Sequence, residues 1–141
     1  MTREQKDLLI KDLCSRLTHG VKCKILETNE VKILAAIQYD GENTLFDFWE
    51  DDQKIHYGYQ LYLSEFKPCL LPISSMTDEQ EEELDKYLDM DSKSLIDGYK
   101  NGLRCAHPYF NVQDWYNKNH FDYRGLIPMD LAIDATGLNI Y

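Results

Sequence analysis

No apolar run in the sequence approaches the ~20 residues that a membrane-spanning helix needs. The polar opening Met1-Thr2-Arg3-Glu4-Gln5-Lys6-Asp7 leads into no signal-peptide stretch. Together these absences predict a cytoplasmic protein with no membrane partner. Cysteine is sparse: Cys14, Cys23, Cys69 and Cys105 lie far apart, with no C-x-x-C pair to support a zinc knuckle or a redox dithiol. In a reducing compartment they read as free thiols, largely in the core. A glycine-rich phosphate loop is missing, since Gly98 and Gly102 stand without a following Lys-Ser/Thr. Neither G-x-S-x-G nor H-E-x-x-H occurs. No metal and no cofactor is expected. Basic charge is also short, with 15 Lys and Arg against 25 Asp and Glu, a net charge of −10.

That charge is uneven. Residues 1–24 carry six basic and three acidic side chains, a balance of +3. Residues 25–97 carry five and eighteen, a balance of −13, and residues 98–141 carry four of each. A middle this acidic repels phosphate backbones, which disfavours direct nucleic-acid binding. It reads either as a solvated surface or as a face that meets a basic protein partner.

What the chain does have is core material. Its 141 residues are 43% apolar and include ten Tyr, five Phe and two Trp. Residues 1–141 read as a single domain with one hydrophobic core. Thr2-Arg3-Glu4-Gln5 fits a capping box at the start of an amphipathic helix over residues 3–18. Leu9, Leu13 and Leu17 form its apolar stripe, with Ile10 and Cys14 beside them; Lys6, Lys11 and Arg16 fall largely off it, and Gly20 stops the helix. Strand-like pieces follow at residues 21–26, 31–39, 44–49 and 55–63. In the second piece both alternating sets are apolar, which predicts cover on both faces. Asp40-Gly41 is a hairpin signal. Residues 66–73 suggest a fifth strand, placed at an edge by Pro68 and Pro72. From Thr77-Asp78-Glu79-Gln80, a second capping box, the pattern turns helical, with Leu84, Tyr87 and Leu88 as a narrow stripe and Glu81, Glu82 and Glu83 facing water. Asp91-Ser92 suits a short continuation, and Asn111 suits the start of a third helix carrying Val112, Trp115 and Tyr116. The tail from Phe121 reads as irregular or short-helical. The expected architecture is α+β: an N-terminal helix, an antiparallel four- to five-stranded meander forming a curved sheet or small partly open barrel, then C-terminal helices packed on it.

Two groups of residues could carry chemistry. Cys105-Ala106-His107 places a thiol near an imidazole, and His120 lies beyond; a nucleophile needs its base within hydrogen-bond reach. These make Cys105, His107 and His120 weak catalytic candidates for a small hydrolase. His19 and His56 read as stray histidines. The segment Asp114 to Ile127 is densest in specific side chains. Its structural reading has Trp115, Phe121 and Leu126 anchoring it on the sheet, with Asp122 paired to Arg124 or capping a short helix. Its functional reading makes Trp115, His120, Asp122, Tyr123 and Arg124 a binding patch.

The stretches Phe66-Lys67-Pro68-Cys69-Leu70-Leu71-Pro72-Ile73-Ser74-Ser75-Met76-Thr77, Asp114-Trp115 and His120-Phe121-Asp122-Tyr123-Arg124-Gly125-Leu126-Ile127 resemble short uncharacterised proteins encoded in phages and mobile elements of gut anaerobic bacteria. The similarity is best over residues 66–134. That group has no assigned activity, so no residue role carries over; the resemblance implies a small cytosolic accessory protein acting beside a host's machinery. The leading expectation is therefore a non-catalytic interaction protein that binds a host or phage protein through an acidic surface (Glu81, Glu82, Glu83) or an aromatic one. A small hydrolase and a self-associating structural protein are the alternatives.

Overall fold

A computed structural model describes residues 1–39, 41–50, 54–86, 88 and 112–141, with the backbone alone at residues 50 and 54–59. Cys105, His107, Asp40, Tyr87, Asp91, Ser92 and Asn111 lie outside the described residues.

Helix α1 spans Arg3–Arg16. The capping box forms as its sequence requires: the Thr2 amide donates to Gln5 Oε1 (2.8 Å) and the Gln5 amide donates to Thr2 Oγ1 (3.2 Å). A 3-10 turn over Leu17–His19 tightens the end, and Gly20 closes it at φ +67°, a conformation that costs glycine little. The buried face consists of Leu9, Asp12, Leu13 and Arg16, an i, i+3, i+4, i+7 series. Two expectations are corrected here. Arg16 is not off the stripe but completely buried on it. Cys14 is exposed, whereas Cys23 and Cys69 are buried.

Six strands form one open sheet: β1 (Lys22–Ile25), β2 (Val31–Tyr39), β3 (Thr44–Glu50), β4 (Lys54–Leu61), β5 (Phe66–Leu70) and β6 (Ile133–Asp134), in the order β4-β3-β2-β1-β5-β6. The first four make the expected antiparallel meander. The chain then crosses back, and β5 pairs antiparallel with the free side of β1. Short β6 adds in parallel to β5, through Cys69↔Ile133 and Leu70↔Asp134. The strand count, the wholly antiparallel pairing and the barrel alternative are thereby corrected. A two-residue strand carries no periodicity, and its partner lies far away in the sequence, so nothing local announces it.

The placement of β5 at an edge is also overturned. Glu65 C=O accepts from Leu26 N–H beside β1, and Leu70 C=O accepts from Ala135 N–H beside β6. Strand alternation then turns Pro68's nitrogen, which has no hydrogen to donate, toward the β6 side, before β6 begins. No ladder bond is lost, so proline is accommodated inside the sheet.

A bulge explains the doubly apolar pattern of β2. The β2–β3 register shifts between Leu34 and Ala36, so Leu34 opposes Phe48 and Ile37 opposes Phe46. The extra residue reverses which alternating set faces inward. Leu34 is buried and Ile37 packs on the core, while Val31 and Ile33 are 40% and 37% exposed. The strand is therefore not covered on both faces; it changes sides.

Leu9 and Leu13 of α1 close over Val21, Cys23, Ile25, Leu34, Phe46, Phe48 and Phe66 in one contiguous core. Phe66 is central: the Phe46 and Phe48 rings each meet it edge-on at 5.0 Å. Beyond a 3-10 turn at Ile73–Ser75, residues 78–86 form helix α2. Its capping box is made by Thr77 N–H to Gln80 Oε1 (3.0 Å) and Gln80 N–H to Thr77 Oγ1 (3.3 Å). Helix α3 spans Val112–Lys118 and lies against α1.

Truncating Phe66 to Ala removes the ring on which both β3 phenylalanines pack. The Phe66→Ala variant should lose about 3–5 kcal/mol of stability in urea or guanidinium unfolding, with the slope unchanged; a loss under 1 kcal/mol would contradict this assignment of the core.

Candidate functional site

The chain reverses sharply after α3. Asn119 Nδ2 donates to Trp115 C=O (3.0 Å), and His120 takes a left-handed φ of +59° with its amide on Asn117 C=O (3.2 Å). Such a φ is unusual for a residue with a Cβ. The reversal delivers Phe121 beside the end of β5, where Leu71 N–H donates to His120 C=O (2.9 Å) and Asp122 N–H donates to Leu71 C=O (2.8 Å). Asp122 then organises the next turn. Its Oδ1 accepts from Leu126 N–H and its Oδ2 from Ile127 N–H, each at 2.8 Å. Both carboxylate oxygens are taken up by backbone, as an Asx-type cap requires.

This loop meets α1 through charge. Arg16 Nε donates to Asp12 Oδ2 (2.7 Å), and its Nη2 donates both to Asp12 Oδ1 (3.2 Å) and to Phe121 C=O (2.8 Å). Arg124 Nε donates to Asp12 Oδ1 (3.1 Å). One buried carboxylate thus serves two guanidiniums. The Tyr123 ring lies between them, 4.8 Å from the Arg124 guanidinium carbon and 5.4 Å from that of Arg16. Tyr123 also stacks on Tyr116, and Trp115 stacks on Phe121.

A second cluster adjoins the first. Tyr141 stacks on His120 with ring centroids 3.8 Å apart. Its hydroxyl accepts from Lys22 N–H (3.0 Å) and donates to Cys69 C=O (2.8 Å). The β1–β5 register reaches Cys23↔Pro68; one step further, this phenol bridges the two strands. Lys22 Nζ donates to Ile140 C=O and lies 5.4 Å from the Tyr141 ring. Burial pushes the His120 imidazole down to a pKa of about 4, and the nearby charges of Arg16, His19 and Lys22 push the same way. Burial raises the Tyr141 phenol well above its ordinary value. His19 Nε2 reaches Asp114 Oδ1 (2.9 Å), joining the end of α1 to α3.

The site candidates from segment 114–127 are therefore gathered in one place. Trp115 and Asp122 are buried, and His120, Tyr123 and Arg124 are half-buried. Trp115, Phe121 and Leu126 do anchor the segment in the interior, and Asp122 caps a turn instead of pairing with Arg124. Glu81, Glu82 and Glu83 are exposed on α2, away from any hydrogen-bonded link to this cluster among the described residues. Sequence reasoning missed Asp12, Arg16 and Tyr141. The signal for the first two was present: an acid and a base four apart, on the same helical face as Leu9 and Leu13. It also missed Asp47, a buried carboxylate on β3 that accepts from Gln38 Nε2 (2.5 Å) through one oxygen. Among the described residues no group of three or more His, Cys, Asp or Glu is placed to hold a metal ion.

Two outcomes follow from this geometry. Asp12→Asn leaves two guanidiniums without their carboxylate and should cost about 3–5 kcal/mol in chemical denaturation. The paired apolar change Asp12→Leu with Arg16→Met should cost less than Asp12→Asn alone, because it leaves no uncompensated charge between those two positions. His120 should make stability pH-dependent. Its folded pKa lies below the ordinary value of 6.5, so the unfolded chain binds more protons between the two. Its contribution is complete above pH 6.5 and declines as pH falls toward 4. His120→Asn keeps a residue that tolerates positive φ but does not titrate. The stability difference between wild type and this variant should therefore change across that window; a constant difference would refute the assignment.

Comparison of the chain with known protein families, with curated proteins and with solved structures finds no match in any of the three.

Proposed function

We propose that this is a non-catalytic interaction protein whose acidic helix α2 engages a basic surface on a protein partner. One observation carries the reading. On residues 78–86, Asp78, Glu79, Glu81, Glu82, Glu83 and Asp85 are all exposed, and Lys86 is the one basic residue among them. Lys86 reaches Glu82 at 3.9 Å, and among the described residues no other ion pair is made by the carboxylates of this helix. A field of one sign attracts an oppositely charged surface quickly and repels phosphate backbones. The polar groups of residues 114–127 support the same reading from the other side. Asp122 is occupied by backbone amides, and His120 is stacked under Tyr141, so the described candidates for acid–base chemistry have structural work. The resemblance to phage and mobile-element proteins suits an accessory protein that occupies a host or phage protein.

Affinity capture from a bacterial host lysate, performed at low and at high salt, tests the proposal. A captured partner should be retained at low salt and released at high salt. With that partner purified, Glu81→Gln, Glu82→Gln and Glu83→Gln together should slow association by about tenfold. Association that is indifferent to both salt and these substitutions would remove α2 from the interface.

A further inference from the structure

We propose that the outer face of the central strands docks the acidic helix α2 of a second copy of this chain, which rests on the reading of α2 as a docking element and names its partner. Strands β2, β1 and β5 lie in the middle of the sheet. One of their faces belongs to the core, where Leu9 and Leu13 of α1 pack with Cys23, Ile25, Leu34 and Phe66. Side chains alternate along a strand, and directly opposed residues share a face, so the register fixes what the other side carries. Lys22 stands opposite Ile33, and Lys24 stands opposite both Val31 and Lys67. Lysines and β-branched aliphatics therefore share the side that α1 does not cover. Val31 and Ile33 are exposed there, and the three lysines are half-buried. The solvent face of an antiparallel sheet is ordinarily polar; apolar surface rimmed by charge has the composition of a contact surface.

The positive charge of this face is little neutralised within the chain. Among the described residues Lys24 makes no ion pair. Lys67 pairs with Asp130, whose side chain is 91% exposed, and such a pair is weak in water. Lys22 donates to the uncharged Ile140 carbonyl. A face of this kind suits carboxylates next to an apolar side chain, and α2 presents that combination. Glu81, Asp85 and Leu88 follow at i, i+4 and i+7 on one side of the helix, and all three are exposed. Glu82, one residue round, already reaches Lys86. From i to i+4 a helix advances about 6 Å, and from i to i+2 a strand advances about 6.6 Å. Glu81 and Asp85 thus match Lys22 and Lys24 in repeat, and Leu88 supplies the apolar group for Val31 and Ile33. The two surfaces differ, so the contact is heterologous. It closes if reciprocated about a two-fold axis and otherwise adds copies head to tail.

Sedimentation equilibrium over a range of protein concentrations tests the contact. At low salt the average mass should rise above the monomer's as concentration increases, and at high salt it should return to the monomer's. Lys24→Glu with Lys67→Glu reverses the charge of the sheet face, and Glu81→Lys with Asp85→Lys reverses that of the helix. Each pair alone should weaken self-association by about tenfold or more. An equimolar mixture of the two variants should associate again, because every surface then finds one of opposite charge. Should the charge-reversed sheet not fold, Lys24→Gln with Lys67→Gln should weaken association in the same direction. A monomer at every concentration in low salt would overturn the proposal, and that result leaves the reading of α2 to the lysate capture. Association lost in the helix variant but unchanged in the sheet variants would overturn it too, since α2 would then meet another surface. Association indifferent to the helix variant would overturn it by taking α2 out of the contact.

Discussion

Arg16 brings a permanent charge into the interior, and much of the described structure is arranged around keeping it there. A buried guanidinium is tolerated only with its donors answered. Asp12, one helical turn earlier, answers two of them, and the Phe121 carbonyl shares one of these nitrogens. That last bond ties α1 to the loop after α3, and the same loop pairs with the chain leaving β5. A single side chain therefore couples the first helix, a late loop and the end of a central strand. The consequences extend outward. Asp122's cap shapes the turn that presents Arg124 to Asp12. Burial, reinforced by the gathered cations, favours the neutral imidazole of His120, which stacks flat on Tyr141, and Tyr141 in turn bridges β1 and β5.

The distribution of charge gives the molecule two unlike faces. Net charge is strongly negative, yet Arg16 and Arg124 lie against the Tyr123 ring and Lys22 against the Tyr141 ring. Carboxylates, by contrast, line exposed α2. Among the described residues no hydrogen bond or ion pair joins α2 to the guanidinium cluster.

Much of the fold was legible wherever a rule acts between near neighbours. Thr2 with Gln5 and Thr77 with Gln80 announced helix starts that the structure makes with the expected bonds. Alternation located β2, β3 and β4, and Val112 to Tyr116 indicated α3. The candidate site was half legible. Its loop stood out by composition, and Trp115, Phe121 and Leu126 were readable as anchors. Its charged partners were not, since Asp12 and Arg124 meet across most of the chain. Arg16 was misplaced because a helical stripe is recognised by apolar residues, and a charged pair that occupies that stripe looks like surface.

The sequence by itself determined the starts of α1 and α2, the positions of β1 to β5 and the concentration of acid on α2, because each depends on contacts within a few residues. Only the tertiary structure decided which side of β2 faces inward, since a bulge reverses the alternation partway along. It alone decided that β5 lies inside the sheet and that β6 joins it in parallel, since strand pairing is chosen between segments far apart. It also decided that Arg16 is interior. Burial of a charge depends on whether distant groups converge to satisfy it, and here Phe121 and Tyr123 arrive from the far end of the chain to do so.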